Sequence, residues 1–148
     1  MRAVIQRVAG ASLKVGGELI SQIDKGLLIF LGVGVEDEQA DLEKIAAKIP
    51  KLRIFEDENG KMNLSVKDVQ GQILLVSQFT LYADCKGCNR PSFIKAERPE
   101  RANAMYLQMR DMLSSQGVDV KTGEFGADMK IDAKNDGPVT IIFDSKNL

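Results

Sequence analysis

Apolar residues along this chain fall mostly into short dense blocks, with two stretches where they recur at helical spacing. Met1 to Val8 reads as a strand. Ala11 to Val15 and Glu18 to Ile23 read as two more, flanking Gly16-Gly17, a dipeptide suited to a two-residue hairpin turn with positive φ. Gly26 to Val35 is almost continuously apolar, the pattern of a strand buried on both faces. Leu42, Ile45, Ala46 and Ile49 stand at i, i+3, i+4 and i+7 and predict a helix over Asp37 to Ile49. Asp37 suits its cap and Pro50 marks its end. Leu52 to Phe55 is a short strand, and Asp57-Glu58-Asn59-Gly60 is a turn.

Gln72 to Tyr82 is the strongest strand pattern of the second half, followed by a loop from Ala83 to about Arg98. Pro99 fits the first turn of a second helix, whose stripe is Ala102, Met105, Tyr106, Met109, Met112 and Leu113. Gly117 is its stop. Val118 to Lys121, Met129 to Ala133 and Val139 to Phe143 are further strands. There is no repeat, no linker and no steady β-α-β alternation. The expectation is a single α+β domain over 1–148 with a largely antiparallel sheet and two main helices.

Composition narrows the chemistry. The 148 residues are 44% hydrophobic and 28% charged, ordinary globular usage, and the formal net charge of −1 offers nucleic acid no global attraction. A local patch for RNA stays open. Met1 to Arg7 carries charges where a leader peptide needs an apolar stretch, and the run Leu27 to Val35 is far short of a membrane span. A cytoplasmic protein with no membrane partner is expected. The chain has no histidine, which removes His-dependent triads and HExxH zinc sites. Cys85 and Cys88 form a lone C-x-x-C within a loop. A structural zinc site needs about four ligands, so these read as reduced surface thiols, with metal shared between subunits as the alternative. No metal and no cofactor are expected.

Two segments do not look like strand filler. Ser77-Gln78-Phe79-Thr80 places three polar side chains at the end of a buried strand, where they need partners. A strand leaving the core, its hydroxyls bonded to backbone, accounts for that. A Thr80 nucleophile would need an activating base, and nothing in the sequence puts a lysine beside it. Backbone N–H groups near Phe79 and Thr80, acting as oxyanion donors, are the better chemical idea. Asn135-Asp136-Gly137-Pro138-Val139-Thr140 contains a turn cluster. Its X-Pro bond is the usual place for a cis peptide, and its glycine leaves one backbone face open to a ligand.

With these two segments, SQxT and NxGPxT in pattern, the chain resembles the D-aminoacyl-tRNA deacylase family over nearly its whole length. Ala3-Val4-Ile5-Gln6-Arg7-Val8, Gly26-Leu27-Leu28, Arg53-Ile54-Phe55 with Gly60-Lys61-Met62-Asn63-Leu64, Arg90-Pro91-Ser92-Phe93 and Gly123-Glu124-Phe125-Gly126-Ala127-Asp128-Met129 are similar in the same order. One departure is visible: Cys88 stands where relatives are expected to carry glycine.

The resemblance implies a barrel-like core and a homodimer that hydrolyses the ester between a D-amino acid and the terminal adenosine of tRNA. It implies that Gly137-Pro138 is a cis pair reaching into the partner subunit's site, its carbonyls excluding an L side chain, with Arg7 holding that segment and Asn135 opening it. Glycyl-tRNA, with no side chain to exclude, should then also be a substrate. Ser77, Gln78, Phe79 and Thr80 would line the pocket, and Phe125, Gly126, Ala127 and Met129 would shape its adenine end. Three alternatives stand beside this: a non-enzymatic RNA- or nucleotide-binding module, a redox or metal protein using Cys85 and Cys88, and a hydrolase of small esters or amides.

Overall fold

The computed structural model describes residues 1–148. Eight strands and two α-helices follow in the order β1 (Arg2–Val15), β2 (Glu18–Ile23), β3 (Gly26–Gly32), α1 (Gln39–Lys48), β4 (Phe55–Glu56), β5 (Met62–Leu64), β6 (Gln72–Ser77), α2 (Pro99–Ser115), β7 (Asp119–Thr122) and β8 (Lys130–Asp144). The main sheet runs β2-β1-β3-β6-β7, with β8 on the other edge of β1; β4 and β5 form a separate ribbon. β1 pairs antiparallel with β2, β3 and β8, while β3–β6 and β6–β7 are parallel. Parallel neighbours need a crossover connection. Here the first crossover carries α1 and the second carries α2, two β-α-β passages that the sequence pattern did not expose.

Period-2 alternation along β3 explains the layering. Leu27, Ile29 and Leu31 face one side of the sheet and pack with Ile5, Ile73, Leu75 and the buried faces of both helices, including Leu42, Ile45, Met105 and Met109. Leu28 faces the other side, where the curled sheet buries it with Val8, Leu13, Ile23, Leu74 and Val76. A fully buried leucine contributes about 1.5–3 kcal/mol, so β3 and β6, apolar on both faces, anchor the fold.

Several expectations need correcting. β1 is one strand, not two, because β8 runs alongside it through two register shifts. Ile49–Lys51 is a 3-10 turn that delays the expected strand to Phe55. The expected strand Gln72 to Tyr82 ends at Ser77; Phe79–Tyr82 coils into a 3-10 turn. Asp37 does not cap α1. Glu38 occupies the cap position, and its backbone N–H donates to the Asp41 carboxylate at 2.8 Å. The expected turn cluster at Asn135 to Pro138 is no turn between two strands: Asn135 pairs with Val8, and Asp136 to Val139 bulge from within β8.

Candidate functional site

The 3-10 turn Phe79–Tyr82 is held at its far end. The Tyr82 hydroxyl donates to the buried Asp37 carboxylate at 2.9 Å, and the Arg2 guanidinium lies 4.7 Å over the Tyr82 ring. The same carboxylate accepts the Gly34 N–H at 2.6 Å and ion-pairs with the Met1 amino group. Gly34 is required here, because a Cβ would come within 2.6 Å of the Tyr82 ring. At its leading end, a 3-10 turn leaves its first N–H groups, here those of Phe79 and Thr80, without partners inside the turn. The Thr80 hydroxyl is bonded by the Gln78 side-chain amide. That contact supplies no base, so Thr80 is not set up as a nucleophile.

Beside this turn lies a cavity of about 630 Å³. It opens beyond the carboxyl ends of the parallel strands β3 and β6, where α/β sheets usually take ligands. Val76, Ser77, Gln78 and Phe79 form one wall, and Phe125, Gly126, Ala127 and Met129 another. Phe79 and Phe93 meet edge to face across 5.0 Å as an exposed aromatic lip. Phe125 leans on Tyr106 at 6.0 Å. A Cβ at Gly123 would stand 2.5 Å from the Met129 sulfur, so this glycine leaves room for the Met129 side chain. Ten of the 17 lining residues are hydrophobic, and Ser77, Gln78, Glu97, Arg98 and Asp128 supply polar or charged groups. The Glu97 carboxyl is held below its ordinary value by the Arg98 backbone N–H, then by the Arg101 guanidinium, against the opposing effect of burial. Such a chamber suits a flat, partly apolar group with polar attachments.

Thr80 shares the turn but not the cavity lining. Arg7, Asn135, Gly137 and Pro138 lie elsewhere. Gln6 faces Thr140 and Val8 faces Asn135, so Arg7 stands opposite the four residues 136–139, which bulge out of β8. Arg7 is 6% exposed, and its guanidinium donates to the carbonyls of Asp136 and Ile54, both at 2.8 Å. The Gly137-Pro138 bond is cis, and both residues are exposed. Arg7 pairs with Leu27 and Leu27 with Ile73. Ser77 is four residues further along, roughly 13 Å at strand rise. Within one chain, then, the two groups of expected site residues form separate clusters.

The family model described as D-Tyr-tRNA(Tyr) deacylase matches residues 4–144. The chain belongs to that family. D-aminoacyl-tRNA deacylases of Thermotoga petrophila and Dictyoglomus turgidum are 51% and 55% identical to it, each over the whole chain and over 99% and 95% of the relative. A solved structure described as c-Myc DNA Unwinding Element Binding Protein superposes with a TM-score of 0.92 at 46% identity, covering 97% of this chain and 98% of that one. Another, described as a probable eukaryotic D-amino acid tRNA deacylase, gives 0.81 at 17% identity over 96% and 97%, a likeness of fold.

Beyond the deacylase motifs, the cavity recruits Phe93, Glu97 and Arg98. Phe93 stood in a matching segment without a role. Glu97 and Arg98 fell in the expected loop, and only the position of Pro99 at the start of α2 hinted that they would turn inward. Nothing in the sequence marked Asp37 as a support for the Phe79–Tyr82 turn.

Proposed function

We propose that this deacylase hydrolyses the ester linking a D-amino acid to the terminal adenosine of tRNA, and that its site is completed by a second copy of the chain. Family membership supports the reaction. The observation that carries the shared site is the separation of the two residue clusters: a cavity that lacks a chiral filter, and an exposed Gly137-Pro138 bulge with nothing of its own chain to act on. The bulge rides on β8, a 15-residue edge strand with mostly exposed side chains, a surface that a two-fold partner would cover.

In this reading the adenine lies between Phe125 and Met129, and the ester carbonyl points at the N–H groups of Phe79 and Thr80. A water adds to the carbonyl carbon, and its proton passes through the neighbouring ribose 2′-OH. The negative charge on the carbonyl oxygen is held by the two N–H groups. Collapse breaks the bond to the ribose 3′-oxygen, which takes the proton, leaving free amino acid and tRNA. One oxyanion donor is worth about 3 kcal/mol, enough with a second for a substantial acceleration of an already activated ester. Carbonyls of the partner's Gly137 and Pro138 occupy the place of an L side chain. Glycyl-tRNA escapes this filter and is hydrolysed. No cofactor is needed, and the cytoplasm, where charged tRNA is used, is the expected location.

The association state tests the shared site. Sedimentation at assay concentration should give twice the chain mass, and a monomer with full activity and full discrimination would refute it.

A further inference from the structure

The C-x-x-C is absorbed by none of this. Cys85 and Cys88 are the chain's two cysteines, and both thiols are free and exposed. They occupy the first and last places of a turn closed by the Cys88 N–H on the Cys85 carbonyl at 3.4 Å, with Gly87 at φ +74° inside it. Such a turn brings its outer Cα atoms within about 7 Å, close to the span a disulfide bridges. The turn tops a small hairpin whose base is fixed by two reciprocal backbone hydrogen bonds of 2.8 Å between Asp84 and Ser92. The next residue is Phe93, which forms the cavity lip with Phe79. The Cys88 sulfur accepts the Arg90 N–H at 3.4 Å, so it also holds the descending arm that leads into Phe93.

We propose that Cys85 and Cys88 are a reversible oxidation site, closed by small disulfides such as glutathione disulfide, that weakens substrate capture at the adjoining cavity. One cysteine thiolate attacks the disulfide, breaks its S–S bond and releases one small thiolate. The second cysteine thiolate then attacks the mixed disulfide and releases the other. Two electrons pass from the protein to the oxidant, and the two thiol protons go to solvent or to the released thiolates. Closing the bond draws the Cys88 sulfur away from the Arg90 N–H and resets the stretch 89–91, and with it Phe93. The Phe79 ring meets Phe93, but the Phe79 and Thr80 N–H groups belong to the backbone of a turn anchored through Tyr82 on Asp37, so the effect falls on capture rather than on the chemical step. This effect rests on the deacylase reading; the oxidation itself does not.

The full-length protein is incubated with glutathione disulfide, then analysed by intact mass and by D-aminoacyl-tRNA hydrolysis, with Cys85→Ser and Cys88→Ser in parallel. The expected result is an intrachain bond, seen as loss of two hydrogens, with KM raised several-fold, kcat within about twofold, and both effects reversed by dithiothreitol. Cys85→Ser, which leaves the Cys88–Arg90 contact in place, should keep the KM of the reduced protein, and neither serine variant should be able to form the bond. Stable glutathione adducts, bonds between chains or no reaction would overturn the oxidation site. A clean intrachain bond with unchanged KM would overturn the coupling to the cavity. If the reduced protein failed to hydrolyse the ester, the deacylase reading would fall while the mass measurement still decided the thiol chemistry.

Discussion

Replacing Tyr82 with phenylalanine removes one oxygen and keeps the ring. The ring stays clamped between Gly34 and the Arg2 guanidinium, but the Asp37 carboxylate loses a donor. Asp37 is 2% exposed, so water does not replace the lost bond. A hydrogen bond to a charged group contributes about 1.5–3 kcal/mol. For a chain of this length 2 kcal/mol corresponds to a fall in Tm of roughly 4–8 °C. The catalytic effect comes from the other end of the same turn. Tyr82 holds the four-residue segment whose leading N–H groups are proposed to face the oxyanion, and misplacing one such donor costs about 100-fold in kcat. The expectation for Tyr82→Phe is therefore a 10- to 100-fold loss in kcat, with a smaller change in KM for D-aminoacyl-tRNA, because Phe79 is the one residue of the turn that lines the cavity. Burial, then the Asp37 charge, raises the Tyr82 hydroxyl well above its ordinary value of 10. Its contribution is whole below that value and is lost only as pH climbs past it toward the folded-state value, so the defect should not vary between pH 6 and 9. Steady-state kinetics and a thermal melt on the same preparation decide the matter. A variant that loses stability while keeping wild-type kcat would refute the coupling between Asp37 and the oxyanion donors.

Other perturbations test separate parts of the account. Arg7→Lys keeps the charge but cannot serve the Asp136 and Ile54 carbonyls with a planar fork; the D-over-L ratio of kcat/KM should fall while far-ultraviolet circular dichroism is unchanged. Gly26→Ala places a Cβ 1.9 Å from the Gln72 carbonyl oxygen, a backbone atom fixed by the β3–β6 pairing; a loss of about 3 kcal/mol or more is expected in urea unfolding. Burial opposes ionisation of Asp41, but the Lys146 ammonium, the Glu38 N–H and Ser145 outweigh it and hold its carboxyl well below the ordinary 3.8. Its depressed value means stability present above that pH and lost as pH falls below it, so Asp41→Asn should flatten the acid limb of a melting curve.

The sheet was legible in the sequence wherever both faces of a strand were apolar. Gly26–Gly32 and Gln72–Ser77 announced themselves, and so did the stripe of α2 with its Pro99 start and Gly117 stop. Strand order was not legible, because the periodicity of β3, β6 and β7 does not state which neighbour each takes or in which direction. Leu81 and Tyr82 extended the β6 pattern past its real end because they are apolar. What turns the chain there is the pull of Asp37 on Tyr82 and the space left by Gly32 and Gly34, all tertiary facts. Of the site, the two motif segments were readable and the cavity gathered Ser77 to Phe79 with Phe125 to Met129. The separation of Gly137-Pro138 from that cavity was visible only in the register of β1 against β8.

The central claim is tested most directly by hydrolysis of matched D-Tyr-tRNA and L-Tyr-tRNA by purified protein with no added metal. The account predicts rapid loss of the D ester with the L ester intact, and erosion of that difference when Pro138 is replaced by alanine. Equal hydrolysis of both esters by the intact protein, or none of either by folded protein, would contradict it.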